Sequence, residues 1–364
     1  MQYPDSFPAR HLTGEGSCAE LAATFAGMRS ADHVRRVVAW VRAGWRAPLA
    51  SAKLLCLFVF VAGLVFGVVG DWLMRRLSWF GDEIAVALPL LTYAAAAVAL
   101  LSIIQRRPWP AVAACASVFV VSAVVIVVPR LPDRTGPPNQ PIVLVAVNML
   151  HDNPTVSAGV ASALAQHPDV LVVSELTRAA DELFAAAFPY RLVTEGPLQH
   201  ENYAEGVYST FPLEEMDAPK GLDNQVLRLK VGGPAPFILY AVHLPRPALS
   251  KTHQRHNATF EEHRLDAMRL DSIADVESGP VVIAGDLNLS DRTSGYAALA
   301  GGRHDALRTR WSGTTYVGGL VWELLGLRID HIFVPGDWCA ADGGHFTIAG
   351  SDHDGVRSTI GPCA

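Results

Sequence analysis

Hydrophobic positions fall into two unlike textures along this chain. Between Leu54 and Val128 they form three continuous runs, Leu54–Gly70, Ile84–Ile104 and Ala111–Val128, of 17, 21 and 18 residues without one charged side chain. A helix rises about 1.5 Å per residue, so about 20 apolar residues cross a hydrocarbon core of about 30 Å, with a lower limit near about 17. The runs predict three transmembrane helices, at 54–70, 84–104 and 111–128. From Ile142 the texture changes to short β-rich stretches between turn residues, at Ile142–Val147, Val170–Val173, Phe237–Val242, Val281–Ile283 and Ile329–Val334. Such stretches predict buried strands. Val156–Gln166 carries apolar residues at helical spacing, and His256–Ile273 reads as a longer helix with a polar face. Between the textures, Pro129–Pro141 holds five prolines and a glycine, which stop helix and central strand alike and predict a linker. The expected layout is a basic segment at 1–53, three spans within 54–128, a linker at 129–141 and an α/β domain at 142–364.

Composition and charge sharpen this picture. With 50% hydrophobic and 18% charged residues the chain is neither disordered nor collagen-like. Residues 1–140 carry 13 Lys+Arg against 8 Asp+Glu, whereas 141–364 carry 16 against 27. Cationic loops stay on the cytoplasmic side during insertion. Arg35, Arg36, Arg42, Arg46 and Lys53 before the first run, with Arg106 and Arg107 between the second and third, place the N-terminus inside. Arg75 and Arg76 run against this rule. The expectation is a multi-pass protein of the cell membrane whose folded domain lies outside the cytoplasm. Cys339 and Cys363 belong to that outer domain, where a disulfide and two buried thiols are both compatible with the sequence.

The chemistry-bearing positions are polar residues at the ends of apolar strands, because a buried carboxylate or amide is unfavourable unless a partner or metal compensates it. Six such places occur in order. Asn148 closes Val145–Asn148, Glu175 closes Leu171–Glu175 and His243 closes Tyr240–His243. Val281–Asn288 ends in Gly285-Asp286-Leu287-Asn288, Asp330 and His331 follow Arg328, and Ser351-Asp352-His353 lies near the C-terminus. Taken with Tyr208–Leu213, this ordered set resembles the endonuclease/exonuclease/phosphatase superfamily over roughly 142–364. That resemblance implies a four-layer α/β sandwich of the DNase I type and a metal-dependent hydrolase of phosphoric ester or anhydride bonds. It implies that His353 is a general base or phosphate contact oriented by Asp330. Asp286 and Asn288 would position the attacking water and the transition state, and His243 would meet a phosphate oxygen or help the leaving group. The motif departs from the commoner family pattern in the Asn148-Met149-Leu150 run, which lacks an acidic residue two positions on, and in Ser174-Glu175.

Hydrolysis at phosphorus requires a positioned water, neutralised phosphate oxygens and a stabilised leaving oxygen. Hard oxygen donors suit Mg²⁺ (or Mn²⁺), with Glu175, Asn148 and Asp352 as the expected ligands. A zinc triad of His243, Asp286 and His353 is disfavoured, since no close His or Cys pair supports it. The acidic balance of the domain disfavours a large nucleic-acid footprint, and its tether to the lipid bilayer favours a lipid-linked phosphate substrate. Three spans followed by an outward domain also resemble the architecture of VanJ-like teicoplanin-resistance membrane proteins, which implies undecaprenyl diphosphate or a related envelope lipid. An extracytoplasmic endonuclease or phospholipid phosphodiesterase is the alternative, and a catalytically inactive phosphate-binding module is a third class. His253, Arg255, His256, His263 and Arg264 are expected on a solvated helix face. Trp311, Trp322, Leu324 and Leu325 are expected in the core.

Overall fold

The computed structural model describes residues 79–104, 109–133, 136–194, 204–222, 226–250 and 257–364. The first expected span, 54–70, lies outside the described residues. The second falls in α1 (Trp79–Ile104), whose Gly81–Val98 window, of mean hydropathy 1.3, is long and apolar enough to cross a bilayer. The third falls in α2 (Trp109–Val127), where the apolar stretch Cys115–Arg130 is shorter. Among the described residues, one helix is therefore long and apolar enough to cross a membrane. Helices α1 and α2 pack side by side and leave Leu90, Leu91, Val98, Leu100, Phe119 and Val124 exposed.

The α/β domain follows in chain order as β1 (Ile142–Asn148), α3 (Val156–Leu164), β2 (Val170–Leu176), α4 (Arg178–Ala185), β3 (Tyr190–Val193), β4 (Ala204–Ser209), β5 (Leu213–Glu215), β6 (Val226–Val231), β7 (Phe237–His243), β8 (Arg246–Ala248) and β9 (Asn257–Thr259). It continues as α5 (Phe260–Ala274), β10 (Val281–Asp286), α6 (Ser294–Gly302), β11 (Arg303–Asp305), α7 (Leu320–Leu325), β12 (Asp330–Pro335), β13 (Trp338–Thr347) and β14 (Asp354–Pro362). Two mixed sheets result, ordered β13-β14-β1-β2-β4-β3 and β11-β12-β10-β7-β6-β5, with β8 and β9 paired apart. The β1–β2 and β7–β10 pairs are parallel, each bridged through a helix, and the other pairings within these two sheets are antiparallel.

Strand side chains alternate between faces with a period of two, and this places the layers. Ile142, Leu144 and Ala146 of β1 meet Leu239, Ala241, Val282, Ala284 and Ile332 of the second sheet in a core between the sheets. Val145 and Val147 point the other way, against Val160 and Ala163 of α3 and Ala180 and Phe184 of α4. Ile283 and Val242 likewise meet Ala267 and Leu270 of α5. The order is helix, sheet, sheet, helix, as the sequence led us to expect.

The 129–141 segment runs along the domain rather than away from it. Arg130 is buried and its Nε donates to Asp291 at 2.9 Å, while Asp133 and Asn139 bond backbone to backbone with Arg308 and Pro362 at 2.8 Å each. Helix α1 is fastened to the same domain. Asp82, buried near its start, accepts from the backbone N and the hydroxyl of Ser294, both at 2.7 Å, at the N-terminus of α6. A carboxylate there satisfies amide donors the helix leaves open and meets the positive end of its dipole.

Candidate active site

The same alternation that builds the inter-sheet core aims its last members at one place. Asn148 continues the inward set of β1, His243 that of β7, Asp286 that of β10 and Asp330 that of β12. Register then sets them side by side: Asp286 pairs with His243 across the parallel ladder and with Asp330 across the antiparallel one. Two carboxylates directly opposite repel each other unless a cation intervenes. Here His353 intervenes. Its Nδ1 lies 3.0 Å from Asp330 Oδ2 and its Nε2 lies 3.7 Å from Asp286 Oδ2. Asp286, Asp330 and His353, all buried, bring ligand-type atoms within 4.8 Å of one another.

Asp286 is the hub. Asn148 donates from Nδ2 to Asp286 Oδ2 at 3.0 Å and to Glu175 Oε1 at 3.2 Å, while its own Oδ1 accepts from the Leu150 amide at 2.9 Å. The amide therefore turns its NH₂ side to both carboxylates. Glu175 Oε2 accepts from His151 N at 2.9 Å and lies 2.8 Å from His151 Nδ1. Glu175 has a left-handed backbone, φ 53°, at a bulge between Val173 and Leu176. Straight continuation of β2 would send its side chain to the helix face beside Val173; the bulge redirects it. Asn288, also left-handed at φ 50°, donates from Nδ2 to Leu244 O, and its backbone N donates to Asp286 Oδ1, both at 2.9 Å. Gly285 is required just before Asp286, because a Cβ there would strike the Val242 carbonyl of the parallel neighbour. Asp352 is half-buried beside the Tyr316 hydroxyl rather than in contact with Asn148 or Glu175.

Several residues of this network escaped the sequence reading. Glu205, buried in β4, lies 3.0 Å from His243 Nδ1, so His243 has its own carboxylate as His353 has Asp330. Its signal was there: Glu205 is a carboxylate inside an apolar strand, just ahead of the family-like Tyr208–Leu213 segment. Ser351 Oγ donates to Asn148 O at 2.8 Å and accepts from His353 N at 3.0 Å. Thr315 Oγ1 accepts from Asp330 N at 3.2 Å, and the Tyr316 ring meets the His353 ring edge-on with centroids 5.0 Å apart. One expectation is corrected nearby. His263 is buried, its Nε2 3.0 Å from Leu287 O, because α5 turns it toward β10; it is not on a solvated face. Arg264 pairs with Glu261 on its own helix at 2.7 Å, and His253, Arg255 and His256 lie outside the described residues.

Electrostatics follow from burial among acids. Burial pulls His353 down, but Asp330 and then Asp286 overcome it and raise its pKa to about 10. Burial likewise opposes the charge on His243, and Glu205, Asp286 and Glu175 raise it to about 9. Burial raises Glu205 and Asp330 above their ordinary values. For Glu175 burial is outweighed by His243 and by the donors His151 and Asn148, leaving it below its ordinary value. Two imidazolium groups thus flank Asp286, while Glu175 stays ionised behind an amide. The donors on Glu175 and on the outer edge of Asp286 are amide and imidazole groups, which a divalent ion can replace, so the oxygen-rich set fits Mg²⁺ or Mn²⁺.

The model of the endonuclease/exonuclease/phosphatase family matches residues 145–353, and the two mixed sheets agree with it. The chain belongs to that family, whose members hydrolyse phosphoester bonds. Among solved structures it is similar to a humanized D. rerio TDP2, at 18% identity, covering 60% of this chain and 98% of that one with a TM-score of 0.48. It is also similar to the 3′ phosphatase NExo from Neisseria, at 17% identity, 60% and 98% coverage and a TM-score of 0.46. An AP endonuclease from Archaeoglobus fulgidus is similar at 16% identity, 60% and 98% coverage and a TM-score of 0.46. No curated protein matches the chain in sequence.

Proposed function

We propose that this protein is a membrane-anchored, Mg²⁺- or Mn²⁺-dependent phosphoesterase that hydrolyses a lipid-linked phosphate ester or anhydride at the outer face of the cell membrane, with undecaprenyl diphosphate the favoured substrate. The observation that carries the reading is Asp286, buried between two imidazoles that each have a carboxylate behind them and joined through Asn148 to Glu175. His353 Nε2 and His243 Nε2 lie 3.7 and 3.8 Å from Asp286 Oδ2, which sets both rings beside the place the phosphate oxygens would take. As imidazolium groups they hold those oxygens and supply the proton to the departing oxygen. Asp286 orients the attacking water and accepts its proton, with Asn288 fixing the carboxylate through its backbone N–H. The water oxygen forms the new bond to phosphorus in line with the bond that breaks, and no covalent enzyme intermediate is needed. Glu175 and Asp286 would hold a divalent ion, which would supply positive charge against the phosphoryl oxygens.

Several features support the location. Cys339 and Cys363 form a disulfide, 24 residues apart, and such bonds persist outside the cytoplasm. The docking of α1 through Asp82 and of the α2 exit through Arg130 keeps the domain at one end of the apolar hairpin. The layout resembles that of VanJ-like teicoplanin-resistance proteins. The excess of 27 Asp+Glu over 16 Lys+Arg in 141–364 opposes a duplex-sized footprint. The test is the full-length protein in nanodiscs with Mg²⁺, offered undecaprenyl diphosphate, sphingomyelin, a phosphoinositide and DNA. Phosphate release from the first is the expected result; cleavage of DNA alone would make the protein an external nuclease.

A further inference from the structure

Four of the five exposed residues of α7 are apolar, Glu323 being the fifth. Leu320 is 72% exposed, Val321 63%, Trp322 43% and Leu324 42%, whereas only Leu325 turns inward. A core assignment for Trp322 and Leu324, drawn from hydrophobicity alone, is therefore wrong, and Trp311 is exposed as well. Contiguous apolar side chains left to water on a folded domain mark a contact surface.

What covers them follows from their neighbours. Leu325 packs with Leu327 and Ile329 against Val86, in the first turns of α1. At the same, C-terminal end of α7, the carbonyl of Gly326 accepts from the Arg130 guanidinium, in the turn by which the chain leaves α2. The helix is thus fastened to both ends of the apolar hairpin at the level where Asp82 and Arg130, the charged residues of those ends, enter the domain. α7 packs against α1, whose exposed side chains Leu90, Leu91 and Val98 are apolar, and a tryptophan at that level has the preference of interfacial aromatic side chains. The half-exposed Trp322 ring also meets the Tyr316 ring, with centroids 6.0 Å apart, and Tyr316 meets His353 at 5.0 Å, so α7 is joined to the site through Tyr316.

We propose that α7 is a membrane-interface contact: Leu320, Val321, Trp322 and Leu324 enter the hydrocarbon of the outer leaflet and hold His353 over the head-group phosphate of a lipid lying in that leaflet. This rests on the lipid-phosphate reading above and adds the surface that presents the lipid. A phosphate in the plane of the head groups is then reached without lifting its chain out of the bilayer.

The test uses the full-length protein in phosphatidylglycerol nanodiscs whose acyl chains carry bromine, a contact quencher of indole fluorescence. Bromine should quench wild-type protein more than Trp322→Phe, the difference being the emission of Trp322; equal quenching in the two proteins overturns the proposal. In parallel, Leu320→Asp with Val321→Asp should lower hydrolysis of nanodisc-embedded undecaprenyl diphosphate at least tenfold while leaving hydrolysis of soluble bis-p-nitrophenyl phosphate unchanged. An equal fall on both substrates, or no fall on the lipid, contradicts it. If wild-type protein cleaves no lipid phosphate, the substrate assignment fails alone, and the quenching result still decides whether α7 enters the bilayer.

Discussion

Replacing Glu205 with Gln keeps the volume of the side chain and removes only its charge, so it isolates what the carboxylate behind His243 does. The contact is 3.0 Å long and largely shielded from water, and the carboxylate is the largest influence holding His243 at about 9 against the opposing effect of burial. A lift from 6.5 to about 9 corresponds to about 3 kcal/mol favouring imidazolium. Without Glu205, burial persists and Asp286 and Glu175 stand farther off, so the imidazole should titrate near or below its ordinary value. In wild type the proton is present at neutral pH and lost as pH rises through about 9. In the variant it should be lost around neutrality, and activity at pH 8 should fall about 100-fold, the usual worth of a positioned proton donor. The assay is a pH–rate profile of both proteins, with imidazole NMR titration of metal-free protein as a readout independent of turnover. An alkaline limb at the same pH in both profiles, with an unmoved His243 resonance, would refute the reasoning.

Other consequences can be checked separately. Asp291 is wholly buried between Arg130 at 2.9 Å and Arg328 at 3.3 Å, so Asp291→Ala strands buried cations at about 3–5 kcal/mol and should lower Tm by about 10 °C in a thermal melt. His263 has its pKa lowered from 6.5 to about 4 by burial, so the unfolded chain binds its proton first as pH falls. Stability should therefore drop by about 3 kcal/mol between pH 6.5 and 4, and His263→Gln should flatten that part of a denaturation-versus-pH curve. Reduction of Cys339–Cys363 releases a loop of 24 residues and should cost about 3 kcal/mol in urea unfolding, without abolishing the site, which it does not touch.

Much of the site was legible because strand periodicity and chemistry coincide. Asn148, His243 and Asp286 each stand two residues beyond an inward aliphatic residue, and Asp330 stands two before one, so a polar residue at the end of an apolar strand already says which sheet face it shares. Glu175 was legible by type but not by direction, since its bulge and left-handed backbone are visible only in the pairing with β4. Glu205 was missed because its meaning depends on a strand from the other sheet bringing His243 to it. Arg130 and Asp82 were hidden for a related reason: a proline-rich exit and a charge beside an apolar run look like flanks until Asp291 and Ser294 are placed against them. The exposed face of α7 was misread because composition reports that a short run is apolar, not whether the domain supplies anything to cover it.

Convergence on Asp286 is the claim on which the rest depends, and one pair of measurements addresses it: phosphate release by wild type and by Asp286→Asn across a Mg²⁺ titration, with circular dichroism of both. The account predicts turnover that rises with Mg²⁺ in wild type and is lower by orders of magnitude in a variant that keeps its fold. Near-normal release by folded Asp286→Asn, or full activity in wild type stripped of divalent ions, would contradict it.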